Sequence, residues 1–381
     1  MKRAIILLPF ILFSMLLSAQ GIIDSEKIQV GVFNENGDSP YCIADAVEAV
    51  KIDANMEVRV VSAAQILAGR TKDIDVYIFP GGSGKSETGS LGNLGQEKVI
   101  EEVVKQGKGI IGICAGAYIL TNTPHYPSLG LSGAEAIDIE HDHRGNGLVK
   151  FSLTKAGKAI FPELSHQEIL FSNYYEGPVL IPAQGAAYEY TELATMLSDV
   201  HTIEGSPSNM TNNRPFITLT EAGKGKVVSI IGHPESTPGM RWMIPRLVRV
   251  VLDRELVSYS SAVLRPEIHQ QELLFTKEQR EKQSMAYENL WGSKEEKLQA
   301  MQELVDMSAW SAKKKIPPML RDEHVEVRYL AAQLTVFLER TDALEDLEAA
   351  VLIESNPAYK KKMEIELQNL KAIIGKPRDL N

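Results

Sequence analysis

Cysteine is nearly absent. Only Cys42 and Cys114 occur in 381 residues, which excludes a disulfide framework as the source of stability. Basic residues are too few for a nucleic-acid partner. There are 40 Lys and Arg against 50 Asp and Glu, a net charge of -10 and a pI near 5.4. Binding to nucleic acid or to anionic lipid needs a basic face. Long apolar runs are absent after the first, at residues 4–17. That run follows Lys2 and Arg3, precedes Ser18-Ala19-Gln20, and falls short of the ~20 residues a membrane helix needs. It reads as a signal peptide over residues 1–19, with an uncleaved anchor as the alternative. No cysteine follows it to carry a lipid. The expectation is a periplasmic or secreted protein with no membrane association after cleavage.

What is present suits a globular chain. Apolar residues make up 44% and charged residues 24%, and the length suggests two domains. Residues 28–33, 58–61, 76–79 and 109–113 are short, β-rich apolar runs separated by helical stretches, the pattern of a parallel sheet covered on both faces. Residues 137–140, 148–153 and 188–191 read as strands with polar turns between. Residues 215–220 and 226–231 read as a hairpin, and a helix over about 240–256 closes the domain. Strand signals then stop. From about residue 259 onward Glu, Lys, Gln, Leu and Ala dominate, predicting an all-helical second domain.

Three strings carry chemistry. Gly112-Ile113-Cys114-Ala115-Gly116-Ala117 follows an apolar strand. Small residues around a nucleophile permit a sharp strand-to-helix turn. A helix N-terminus there would favour the reactive thiolate, giving a lowered pKa. A buried cysteine on a packing turn is the plainer alternative. Gly232-His233-Pro234-Glu235 follows another apolar run. A period of two would put His233 and Glu235 on one face, where the carboxylate can orient the imidazole. Phe79-Pro80-Gly81-Gly82 ends a third run. The Gly82 and Ala115 amides are candidates for an oxyanion hole.

In this order the strings resemble class I glutamine amidotransferases, over about residues 27–256. They are most similar to the N-terminal domain of eukaryotic-type biotin–protein ligases. The resemblance implies a Rossmann-like, mostly parallel α/β sheet over residues 24–258. It also implies a Cys nucleophile elbow, with Cys114 as nucleophile, His233 as base and Glu235 as orienter. No biotinyl-adenylate loop and no synthase domain accompany it, so the chain is not read as a biotin ligase. The fold also serves hydrolases of γ-glutamyl and peptide amides.

The remaining signals are weaker. Gly81, Tyr174, Tyr175 and His143 are candidates for substrate contacts. His141 and His143 have metal-ligand spacing, but a polar loop is the better reading, and no metal or cofactor is expected. Gly82-Ser83-Gly84-Lys85-Ser86 echoes a phosphate loop, yet Phe79 stands where that motif needs glycine. In the tail, residues 259–381, the stretches 322–338 and 354–370 align about 32 residues apart. They resemble HEAT-type repeats, and an irregular helical bundle fits nearly as well. Two functions follow. One is a cysteine amidohydrolase or acyl-transfer enzyme acting on a small-molecule or peptide amide. The other is an idle scaffold that docks a protein partner through its tail. The tail is expected to stand apart from the triad, with Trp291 or Trp310 in the contact between the two parts.

Overall fold

Alternation along the apolar runs decides how the sheet is covered. In the computed structural model, which describes residues 27–138 and 144–375, Val76 and Ile78 enter one apolar core while Tyr77 and Phe79 enter a second. Ile111 and Ile113 face the first core and Ile110 the second. Side chains that point to opposite faces of a strand bury both faces only when helices cover both. Residues 1–19, expected to be a signal peptide, and His141 and His143 lie outside the described residues.

The strands are β1 (Ile28–Phe33), β2 (Met56–Val61), β3 (Val76–Phe79), β4 (Gly109–Ile113), β5 (Ala134–Ala136), β6 (Asn146–Leu153), β7 (Leu170–Tyr175), β8 (Leu180–Pro182), β9 (Tyr190–Met196), β10 (Arg214–Ala222), β11 (Gly225–Ile230) and β12 (Leu273–Leu274). The central order β2-β1-β3-β4-β11 is parallel throughout. The hairpin β10–β11 turns the sheet antiparallel, and β9, β6 and β7 continue that way. Helices α1 (Pro40–Val50), α2 (Ala63–Leu67), α3 (Gly84–Glu101), α4 (Ala115–Ile119), α5 (Lys155–Ile160) and α6 (Met243–Val251) accompany it. The architecture is therefore a mixed α/β unit with a mostly parallel central sheet, followed by a helical region.

That region carries α7 (Lys277–Asn289), α8 (Lys294–Asp306), α9 (Ala312–Lys315), α10 (Val325–Phe337), α11 (Leu344–Ile353) and α12 (Pro357–Ile373). It is not purely helical, because β12 pairs with β6 at the sheet edge. The two aligned stretches fall on α10 and α12, which pack on one another. Val327, Ala331, Met363 and Leu370 are buried there. Leu304, Ala331 and Leu347 also join the same apolar core as Ala46 of α1 and Leu247 of α6. The tail thus closes over one helical layer of the α/β unit. Its far end returns to α1, where the Gly375 amide donates to the Lys51 carbonyl at 3.0 Å.

Candidate active site

Cys114 links β4 to α4. Its amide extends the β4–β11 pairing by donating to the Ile230 carbonyl at 2.8 Å. The chain then turns sharply, with Cys114 at φ 53°, ψ -105°. A left-handed φ in a residue with a Cβ is sparsely populated and persists only where surrounding contacts impose it. Here the neighbouring glycines allow the turn. A Cβ on Gly116 would run into the Phe79 carbonyl, and one on Gly112 into the Gly116 carbonyl. No bulkier residue fits either position without moving α4 away from β3 or β4.

His233 follows β11 and makes an isolated bridge to Asn173 of β7, its amide donating to the Asn173 carbonyl at 2.7 Å. Its Nδ1 lies 2.7 Å from Glu235 Oε1, and both side chains are buried. The period-two argument for this pair needs correction. The strand ends at Ile230, and Pro234–Ser236 forms a single 3-10 turn that folds the carboxylate back under the ring. Proline is well placed at the start of such a turn, where no amide donor is needed. Glu235 Oε2 is buried without a hydrogen-bond partner.

Cys114 and His233 border one cavity of about 760 Å³, together with Gly82 and Ala115. Gly81 stands behind it rather than in it. A Cβ there would lie 2.6 Å from His233 Cε1, 3.3 Å from Cys42 Sγ and 3.5 Å from Cys114 Cβ. The missing Cβ lets the imidazole, the thiol and Cys42 approach each other. Asn36, which the motifs do not flag, holds this strand end. Its side-chain amide donates to the carbonyls of Gly81 at 2.7 Å and Ser39 at 3.0 Å.

The expected depressed thiol pKa is also corrected. Burial, then the neighbouring Cys42 and Glu235, push Cys114 well above the ordinary thiol value, against a lowering by the Ala115 amide. Helix α4 has only five residues, so little dipole is available to offset desolvation. Burial likewise pushes Cys42 up to about 12. Both thiols are free. Cys114 Sγ donates to the Tyr175 carbonyl at 3.3 Å, and no Cys114–His233 hydrogen bond forms among the described residues.

Tyr175 lines the cavity, but Tyr174 does not. Tyr174 is buried, with its hydroxyl donating to the Gly177 carbonyl at 2.8 Å and accepting from Arg144 Nε at 3.2 Å. Among the described residues no group of three His, Cys, Asp or Glu side chains is arranged to hold a metal.

The tail does not stand apart. The Trp310 ring lies edge-on to His233, with centroids 4.7 Å apart, and 5.8 Å from Tyr175. Trp310 and Lys314 both line the cavity. Trp291 is 78% exposed and takes no part. Behind this wall Lys313 Nζ sits 3.6 Å from the Trp310 ring centroid and pairs with Asp45 of α1 and with Ser236 Oγ. Arg340 completes the pairing with Asp45. The sequence carried no local sign of these contacts, because the Asp45 pairs join residues more than 260 positions apart and Lys313 and Ser236 lie 77 apart.

No family model and no curated protein matches the chain. Solved structures resemble it weakly. The glutaminase domain of Trypanosoma brucei CTP synthase with bound acivicin is 12% identical, with a TM-score of 0.42 over 62% of this chain and 98% of that one. A ThuA-like protein from Parabacteroides merdae is 8% identical, with a TM-score of 0.45 over 61% of this chain and 93% of that one. A β-galactosidase from Bacillus circulans is 13% identical, with a TM-score of 0.38 over 59% of this chain and only 31% of its own length. With TM-scores below 0.5, nothing about the site or its reaction follows from these likenesses.

Proposed function

We propose that the chain is a cysteine-nucleophile amidohydrolase or acyl-transfer enzyme. The supporting observation is one cavity that holds a sharply turned Cys114 beside an imidazole oriented by a carboxylate. Glu235 holds the proton on His233 Nδ1, which leaves Nε2 as the acceptor. Cys114 Sγ attacks the substrate carbonyl carbon while its proton passes to Nε2. The oxyanion that forms is met by the amides of Gly82 and Ala115, each such donor being worth ~3 kcal/mol in a transition state. Collapse expels the amine, which takes the proton from His233 and leaves a thioester on Cys114. Water or a second amine then releases the acyl group by the same steps in reverse. The buried, neutral thiol fits a mechanism in which the proton leaves during attack rather than before it.

The donation from Cys114 to the Tyr175 carbonyl favours a second reading, an idle protein with a plugged nucleophile. Iodoacetamide labelling followed by peptide mass spectrometry separates the two. The catalytic reading expects Cys114 to be modified faster than Cys42 at pH 7, and to slow in His233→Ala. Equal, slow modification of both cysteines, indifferent to His233, would reject it.

A further inference from the structure

The cavity has a charge pattern that the thiol, imidazole and carboxylate do not explain. Lys314, from α9 of the tail, is half-buried on its wall, with Nζ 4.1 Å from the Tyr41 ring centroid. Among the described residues no carboxylate lies within ion-pair distance of it. Burial, then its neighbour Lys313, lower its pKa, and the more distant Asp45 only partly opposes them. Lys85, at the start of α3, borders the same cavity, is exposed, and likewise has no ion pair among the described residues. Lys313 differs, since its charge is consumed by Asp45.

The acid on the wall does not balance these lysines. Glu176 borders the cavity, but its carboxylate accepts from the Arg144 amide at 3.0 Å and from the Gly145 amide, and it lies 3.9 Å from the Arg144 guanidinium. Its chain turns through φ 52° to make those contacts. Two cations therefore face a cleft whose acid is already engaged. A partly desolvated ammonium that has an aromatic face but no anion beside it costs free energy that an incoming anion recovers. Trp310 and Tyr175 add flat apolar faces beside the thiol.

We propose that the site selects an acyl donor carrying a carboxylate, bound by Lys314 and Lys85, with Trp310 and Tyr175 flanking the reacting carbonyl. The proposal rests on the cysteine reading above and narrows its substrate class. It also gives the tail a task, since the helical region supplies Trp310 and Lys314, the specificity wall of a site whose nucleophile lies in the α/β unit.

The test compares alkylation of Cys114 in the full-length protein by iodoacetate and by iodoacetamide. Their rate ratio cancels the thiolate fraction and reports the local potential. The ratio should exceed that of glutathione. It should fall about threefold in Lys314→Gln, as expected for losing one unit charge from the wall of a largely solvated cleft, and return in Lys314→Arg. High salt should also lower it. A ratio equal to that of glutathione and unchanged in Lys314→Gln would overturn the proposal. Should neither reagent modify Cys114, the cysteine reading fails, and calorimetry still decides this one. Glutarate should bind more tightly than its neutral diamide, with the difference lost in Lys85→Gln/Lys314→Gln. Glutarate that binds no better than the diamide, or does not bind, overturns it.

Discussion

Cys114 is governed by two opposing effects whose balance decides how it reacts. The turn at φ 53° brings the thiol to the cavity, and burial withholds the negative charge that makes a thiolate. The sign with pH follows directly. A thiol whose pKa lies above its ordinary value is neutral throughout the physiological range, and its reactive fraction grows about tenfold per unit as pH rises. Iodoacetamide modification of Cys114 should thus keep climbing from pH 7 to pH 9 in the substrate-free protein. A rate that levels off below pH 7 would mean a thiolate–imidazolium pair forms before substrate arrives. The strings around Cys114, His233 and Glu235 were legible in the sequence because the required residue types are near neighbours along the chain. The pKa was not legible, because desolvation depends on everything packed around the thiol, including Tyr175 of β7.

Among elements, the junction of β3, β4 and α4 leaves no spare volume. Gly116 is in contact with the Phe79 carbonyl at the end of β3, and its amide donates to the Pro80 carbonyl at 3.2 Å. Valine at position 116 must therefore push α4 off the sheet. Overpacking of this kind costs roughly 1–3 kcal/mol, and more against rigid backbone. The expected outcome is a lower urea midpoint together with loss of the difference in labelling between Cys114 and Cys42. Unchanged stability and labelling would show that α4 can shift freely. The sequence foretold the order of strands and helices here through its period-two and period-3.6 patterns. It misplaced the origin of the His233–Glu235 pairing, which comes from a one-turn 3-10 helix, because a tight turn and a strand end look alike over four residues.

At the scale of the molecule, the tail is held by buried charge as well as by apolar packing. Asp45 is fully buried on α1. Burial alone would raise its pKa, but Lys313, Arg340 and Arg241 outweigh it and hold the carboxylate well below its ordinary value. A depressed carboxylate contributes stability at and above its unfolded pKa of about 3.9, and loses it as pH falls toward the folded value. Glu339 works in the opposite direction, since burial raises it despite Arg241 and Arg265. Asp45→Asn isolates the first effect. It leaves Lys313 buried without its anion, and Arg340 with Asp342 alone, a loss of about 3–5 kcal/mol at pH 7. Denaturant melts should show that difference at neutral pH and a steady narrowing below about pH 4. A pH-independent gap would refute the assignment of charge.

Local pattern determined which stretches become strands, which become helices, and where the thiol, imidazole and carboxylate stand, because each depends on neighbours a few positions away. Tertiary structure alone decided that the tail is part of the cavity wall. Trp310 against His233, Lys313 on Asp45, β12 on β6 and Lys314 over Tyr41 are contacts between residues far apart in the chain. Such pairings are set by how the apolar faces of α1 and α6 are covered, and the burial they create sets the charges of the groups beneath. Neither coverage nor desolvation leaves a mark in local sequence, which is why the thiol, imidazole and carboxylate were readable as motifs and the tryptophan and lysine beside them only from the fold.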